Sequence, residues 1–163
     1  MHNKTLGRYN NGSFTLDLRD LPAHDMIQVS FDLYIHDSWD GNAQGVDGPD
    51  LWEMKVNGET FINTTFSNCR TGLCIPQSYP VNYLNNKHVP GSGASRIDLP
   101  GICKNPGQAG GTSLYKIVKT IRHSDLIFSL QCSDMLKQTD SKDAVCEESW
   151  ALDNITVKVI KLN

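Results

Sequence analysis

The segment HDSWDGNAQGVDGPDLW carries Asp37, Asp40, Asn42, Asp47 and Asp50 among glycines at 41, 45 and 48. Oxygen-rich side chains on a loop that glycine lets turn inward suit Ca²⁺, which takes about six to eight oxygen ligands, backbone carbonyls included. The spacing is not that of an EF-hand, because no Glu closes the loop at its last position. A solvated Asp/Gly turn produces the same composition. A second acidic stretch, CEESWALDNITVKV, places Glu147 and Glu148 before Trp150 and Asp153 inside an apolar run. By strand alternation Leu152 and Asp153 face opposite ways. Asp153 therefore needs solvent, a cation or a hydrogen-bond network, since an unpaired buried carboxylate is costly. Terminal strands of sandwiches often lie side by side, so a last-strand acid can meet the loop after an early strand.

The elements that must position these acids are strands. Helical periodicity is almost absent, and alternation with period two recurs between Gly, Pro, Asn and Asp. SFTLDLRDL puts Phe14, Leu16 and Leu18 on one face; MIQVSFDLYIHD does the same with Ile27, Val29, Phe31, Leu33 and Ile35. LWEMKVNGETFINTTF reads as a hairpin, with Asn57-Gly58 at a type I′ turn. TSLYKIVKTIRH and DLIFSLQCS read as a strand pair joined near His123-Ser124, and WALDNITVKVIKL as the last strand. Many short strands with one apolar face predict an all-β, antiparallel two-sheet sandwich. The proline-rich stretch from Cys69 to Gly111 is too long for an ordinary connection and reads as an ordered loop excursion.

The chain has 163 residues, enough for one domain, 1–163, and hardly two. Its net charge of −3, without runs of one sign, excludes a nucleic-acid face. No apolar run approaches the length of a membrane span, so no membrane insertion is expected. The N-terminal MHNKTLGRY lacks the apolar core of a signal peptide. The chain reads as cytosolic, or as a mature or excised piece of a larger exported protein whose other domains are its neighbours. Five cysteines favour export. Cys69 with Cys74, and Cys132 with Cys146, bracket short loops and read as staples for an oxidising compartment, leaving Cys103 over. The alternative is five reduced, buried thiols. Sequons at Asn3, Asn11, Asn63 and Asn154 are possible glycan sites, although chance produces them in a chain rich in Asn, Ser and Thr.

Other residues carry a sharp and a plain reading. Trp39 is either an exposed platform for a sugar ring or a core residue that covers the acid cluster or packs on Trp150. Tyr79 and Tyr83 either stack on a ligand or pin their loop to the scaffold. His36 stands beside Asp37, but no second His lies at metal-ligand spacing; His24 and His123 fall at turns and read as structural. GxSxG, HExxH, P-loop and GxGxxG motifs are absent. Paired carboxylates can hydrolyse glycosides, but a cation explains these better, so no enzyme is expected.

Taken together, LPAHDMIQVSFDLYIHDSWDGN, GPDLWEMKVNG, TTFSN and EESWALDNITV resemble a module that recurs in large secreted, often bacterial, multidomain surface proteins. The ending is also similar to MAM-type and galactose-binding-like jelly rolls. The resemblance covers the chain from about Leu6 to Val159. It implies a jelly roll with adhesive or ligand-binding use and a Ca²⁺ site made by Asp37, Asp40, Asp50, Glu148 and Asp153, with Asn42 and Asp47 nearby. The cysteines and the insertions around them depart from that pattern. The expected function is a non-catalytic, Ca²⁺-stabilised adhesion module at the cell surface, recognising a glycan or a protein through Trp39 or the long loop. A spacer without a ligand and, third, a glycan hydrolase are the alternatives.

Overall fold

A computed structural model describes residues 4–84, 87–138 and 142–162; the Asn3 sequon and part of the insertion before Cys146 lie outside them. Among the described residues nine strands form in chain order: β1 Leu6–Tyr9, β2 Ser13–Leu18, β3 Met26–Asp37, β4 Leu51–Val56, β5 Glu59–Thr65, β6 Arg96–Pro100, β7 Ala109–Arg122, β8 Phe128–Met135 and β9 Glu148–Ile160. A short helix, α1 Ala144–Glu147, leads into β9, and one turn of 3-10 helix lies at Gly45–Asp47.

The strands make two antiparallel sheets, ordered β1-β9-β3-β7-β6 and β2-β8-β4-β5. Without the short edge strand β6, the two orders interleave as a pair of Greek keys, which is the jelly roll. The alternation of β3 is realised along its whole length: Ile27, Val29, Phe31, Leu33 and Ile35 all face the core. Across the sandwich, aromatic rings form a continuous column. Trp39 meets Phe66 edge-on at 6.1 Å, Phe66 meets Trp52 at 6.2 Å, and Trp52 meets Trp150 at 6.0 Å. Each such side chain contributes roughly 2–3 kcal/mol when fully buried.

The Asn57-Gly58 turn joins β4 to β5 as the dipeptide predicts, with φ of 48° and 82° at its two residues. The reading of β7 and β8 as a hairpin is corrected. β7 pairs with β3 and β6, whereas β8 pairs with β2 and β4 in the other sheet. The connection at 123–127 therefore crosses the sandwich. Alternation records which face of a strand is buried and says nothing about which sheet it joins.

Two disulfides form, Cys69–Cys74 and Cys103–Cys146. The expected Cys132–Cys146 bridge does not exist: Cys132 lies on the inner face of β8, opposite Phe14 and Met54, fully buried and free. Burial pushes its thiol pKa up, so it stays protonated. The long excursion is ordered around Gln77, which is fully buried. Its Oε1 accepts from Ser67 N, Gly91 N and Tyr115 Oη, and its Nε2 donates to the carbonyls of Tyr79 and Ser92.

His24 and His123 close the end of the sandwich away from the acids. His24 Nδ1 lies 2.6 Å from the Pro22 carbonyl, which can only accept, so in the neutral pair it carries the proton. His24 Nε2 then accepts from His123 Nδ1 at 2.7 Å, and His123 Nε2 accepts from Asn57 Nδ2 at 3.1 Å. Every member of that chain is satisfied.

Candidate metal centre

β3, β9 and the loop after β3 meet at one end of the sandwich. Glu148 shares the inner face of β9 with Trp150 and Leu152, so it extends the core row beyond its last apolar residue. It sits opposite Asp37 in register. The loop from Ser38 to Pro49 folds back under it. Gly41 is the residue that permits this, with φ of 61° and a Cβ position only 2.6 Å from the Pro76 carbonyl. The Asp40 amide donates to Asp50 Oδ2 at 2.6 Å, and the Lys137 amide donates to Asp50 Oδ1 at 3.3 Å. These contacts fix the Asp50 carboxylate beside Asp40.

Asp40, Asp50 and Glu148 each present a carboxylate oxygen within 4.8 Å of the others. Asp50 is 0% exposed, Glu148 2%. None of the three forms an ion pair among the described residues. The nearby Lys104 is engaged with Glu147 at 3.0 Å. Gln138 Nε2 reaches Glu148 Oε2 at 3.4 Å. The carboxyl groups consequently resist ionisation. Burial raises the pKa values of Asp50 and Glu148 well above the ordinary carboxylate range, and their mutual repulsion adds to it. Asp40 is raised for the same first reason. A cavity of about 210 Å³ opens at the cluster, with Ser38, Asp47, Lys104, Lys137, Gln138 and Glu147 on its walls.

An all-oxygen set with several carboxylates suits a hard divalent cation and offers nothing to a soft one. Asp40, Asp50 and Glu148 are the residues that could hold such a cation. Asp47 stands exposed at the rim of the cavity. The other convergence of acidic and sulfur side chains among the described residues, Cys103, Asp143 and Cys146, has both sulfurs in a disulfide.

Three expected members of the site are elsewhere. Asp37 is buried, but its carboxylate accepts the backbone N–H groups of Ile102, Cys103 and Asn105 at 3.2–3.3 Å and anchors the 101–105 loop. Asn42 Oδ1 accepts from Thr65 Oγ1 and Ser78 Oγ, which ties the acid loop to β5 and the excursion. Asp153 faces outward beside Asp32, five residues along β9 from Glu148, or roughly 17 Å at the rise of an extended strand.

Trp39 and Tyr79 take the packing role that was one of the two readings of each. Trp39 is 1% exposed and donates its indole N–H to the Ser149 carbonyl, so it is core and offers no platform. Tyr79 packs on Phe66 and Tyr115 at 5.0 and 5.1 Å and pins the excursion. Tyr83 remains half-buried on the surface, its hydroxyl 3.4 Å from Gln44 Nε2. Gln138 went unnoticed in the sequence and left no signal there; Cys103, left over from the expected pairing, ties the 101–105 loop to the segment before Glu148.

No protein-family model, curated protein or solved structure matches this chain.

Proposed function

We propose that this chain is a non-catalytic, Ca²⁺-stabilised binding module of an extracellular or cell-surface protein, with a surface glycan as its ligand. The observation that carries the proposal is the convergence of the buried Asp50 and Glu148 with the half-buried Asp40, none of which forms an ion pair among the described residues. Buried like charges are unfavourable in a folded chain unless the groups keep their protons or a cation compensates them. A cation bound there links β9 to the loop after β3 and stabilises the fold by mass action. Burial of Asp50 and Glu148 argues against hydrolysis, which needs both carboxyl groups to flank an accessible glycosidic bond. Two disulfides fit an oxidising compartment, and no helix among the described residues is long and apolar enough to cross a membrane. Jelly rolls frequently serve as lectin-like domains, which is an analogy of fold.

The test is retention on a glycan array in millimolar Ca²⁺, in chelator, and for Asp50→Asn. Retention of a defined glycan class that chelation and Asp50→Asn both weaken supports the proposal. A protein that Ca²⁺ stabilises but that no glycan retains is a spacer, and the binding half of the proposal then fails.

A further inference from the structure

We propose that the cleft between segments 69–71 and 105–111 binds a carboxylate-bearing sugar, with Arg70 receiving the carboxylate and Asn105 and Gln108 the hydroxyls. This rests on the reading of the chain as a glycan-binding module and adds the place and the charge of the ligand.

The cleft has a volume of about 360 Å³ and is lined by Arg70, Thr71, Asn105 and Gln108, with Asn68 and Asp40 deeper on its walls. Both walls are fixed. The Cys69–Cys74 disulfide closes one. Cys103–Cys146 and the three backbone amides on the Asp37 carboxylate hold the other. A ligand entering such a cleft loses little affinity to loop ordering.

Arg70 is the unexplained charge. Its guanidinium is half-buried, and each of its bonds goes to a neutral acceptor. Nε donates to the Ile97 carbonyl at 3.4 Å, and Nη1 to the Cys69 carbonyl at 3.1 Å. Nη2 donates to Asn68 Oδ1 at 3.5 Å and to Ser113 Oγ at 2.5 Å. No carboxylate pairs with it among the described residues, and one N–H on Nη1 has no acceptor there. Asp37 lines the same cleft, but its carboxylate is committed to the 101–105 loop. Asp40 belongs to the cation cluster. Burial lowers the pKa of Arg70, the direction expected of a cation short of a counter-charge. Its planar fork matches a carboxylate better than a lysine would.

The remaining lining selects a sugar over a peptide. The side-chain amides of Asn105 and Gln108 make no hydrogen bond to the described residues, so they are available to ring hydroxyls as donors and acceptors. Trp39, the aromatic residue on the walls, is sealed in the core. Acidic motifs are held by clusters of arginines, and Arg70 is the one arginine on the walls of this cleft.

The experiment is a titration of the ¹⁵N-labelled chain, in Ca²⁺, with glucuronate and N-acetylneuraminate in parallel, followed by amide and side-chain shifts. Galactose and a tetra-aspartate peptide are the controls. The expected result is saturable shifts at Arg70, Thr71, Asn105 and Gln108 with at least one acidic sugar, a Kd on the order of 1 mM, and none with galactose. Arg70→Gln weakens that affinity roughly tenfold or more, and Arg70→Lys less. Because Arg70 also bonds Ser113, the exposed Gln108→Ala serves as a second variant, with weaker binding and an unchanged fold. No shifts at the cleft, equal shifts with galactose, or tighter binding of the peptide overturns the inference. If a neutral glycan is retained on the array while the cleft stays silent, this inference fails alone. If no glycan of any kind is retained, the binding-module reading fails with it.

Discussion

Asp37 and Glu148 stand opposite each other across β3 and β9, yet they act differently. Asp37 has φ of 64° and accepts backbone N–H groups from three residues of one loop. Among the described residues the Glu148 carboxylate accepts only a long bond from Gln138, and it faces two other acids. The first is a structural anion whose charge the loop already satisfies; the second needs a counter-charge. Asp37→Asn separates these roles, since Asn tolerates positive φ nearly as well as Asp. The variant is expected to lose about 2–3 kcal/mol in denaturant unfolding, the worth of charge-assisted bonds, with Ca²⁺ affinity little changed. A large loss of Ca²⁺ affinity at unchanged stability would return Asp37 to the cation site. Parity explains why Glu148 and not Asp153 is the last-strand acid at the site. Counting by twos from Trp150 puts Glu148 on the core face, whereas Asp153 falls in the outward row with Asp32.

At the level of elements, the covalent ties differ in weight. Cys103–Cys146 closes a segment of 43 residues and joins the 101–105 loop to α1, immediately before Glu148. Cys69–Cys74 closes only 5. In the chain-entropy view these contribute about 4 and about 2 kcal/mol respectively. Cys103→Ser/Cys146→Ser is therefore expected to cost more in denaturant unfolding than Cys69→Ser/Cys74→Ser, and to weaken Ca²⁺ binding as well. Peptide mapping of unreduced protein should recover Cys103 linked to Cys146, with Cys132 free. A Cys132–Cys146 peptide, or the reverse order of stability, would contradict this.

The same elements show what the sequence revealed. Alternation in β3 and β4, the Asn57-Gly58 turn and the last strand were legible because each depends on residues close in the chain. The Cys103 pairing was not, because it depends on Asp37 drawing a distant loop to α1. The crossing between β7 and β8 was hidden for the related reason that a strand pattern carries a face and no partner. At the site, Asp40 and Asp50 were legible as loop acids. Asn42, in the same run, serves the excursion through Thr65 and Ser78, contacts made by residues far away in the chain.

For the whole molecule, the acid cluster makes stability depend on pH in an unusual direction. Most carboxylates of folded proteins are held ionised and stabilise the fold as pH rises. Asp50 and Glu148 have raised pKa values in the metal-free fold, chiefly from burial, so they retain protons that the unfolded chain has lost. The stability they confer is present at low pH and is lost as pH rises through those folded values, by up to about 1.4 kcal/mol per pH unit for each proton held. His36 works in the opposite sense. Burial lowers its pKa to about 4, with Arg8 adding to the effect. It therefore favours the fold as pH rises toward about 6.5 and adds no slope above about pH 7.

The measurement that tests the cation site most directly is thermal unfolding of chelator-treated protein at about pH 7 and about pH 9, with and without millimolar Ca²⁺, and with Mg²⁺ as control. Without metal the midpoint should fall between the two pH values. At a hundredfold excess over Kd, Ca²⁺ should add about 2.7 kcal/mol, which for a domain of this size is a rise of roughly 5–10 °C. That rise should exceed the effect of Mg²⁺, grow with pH, and vanish in Glu148→Gln. A midpoint that no divalent ion moves at either pH, or that moves equally in Glu148→Gln, would contradict a cation held by Asp40, Asp50 and Glu148.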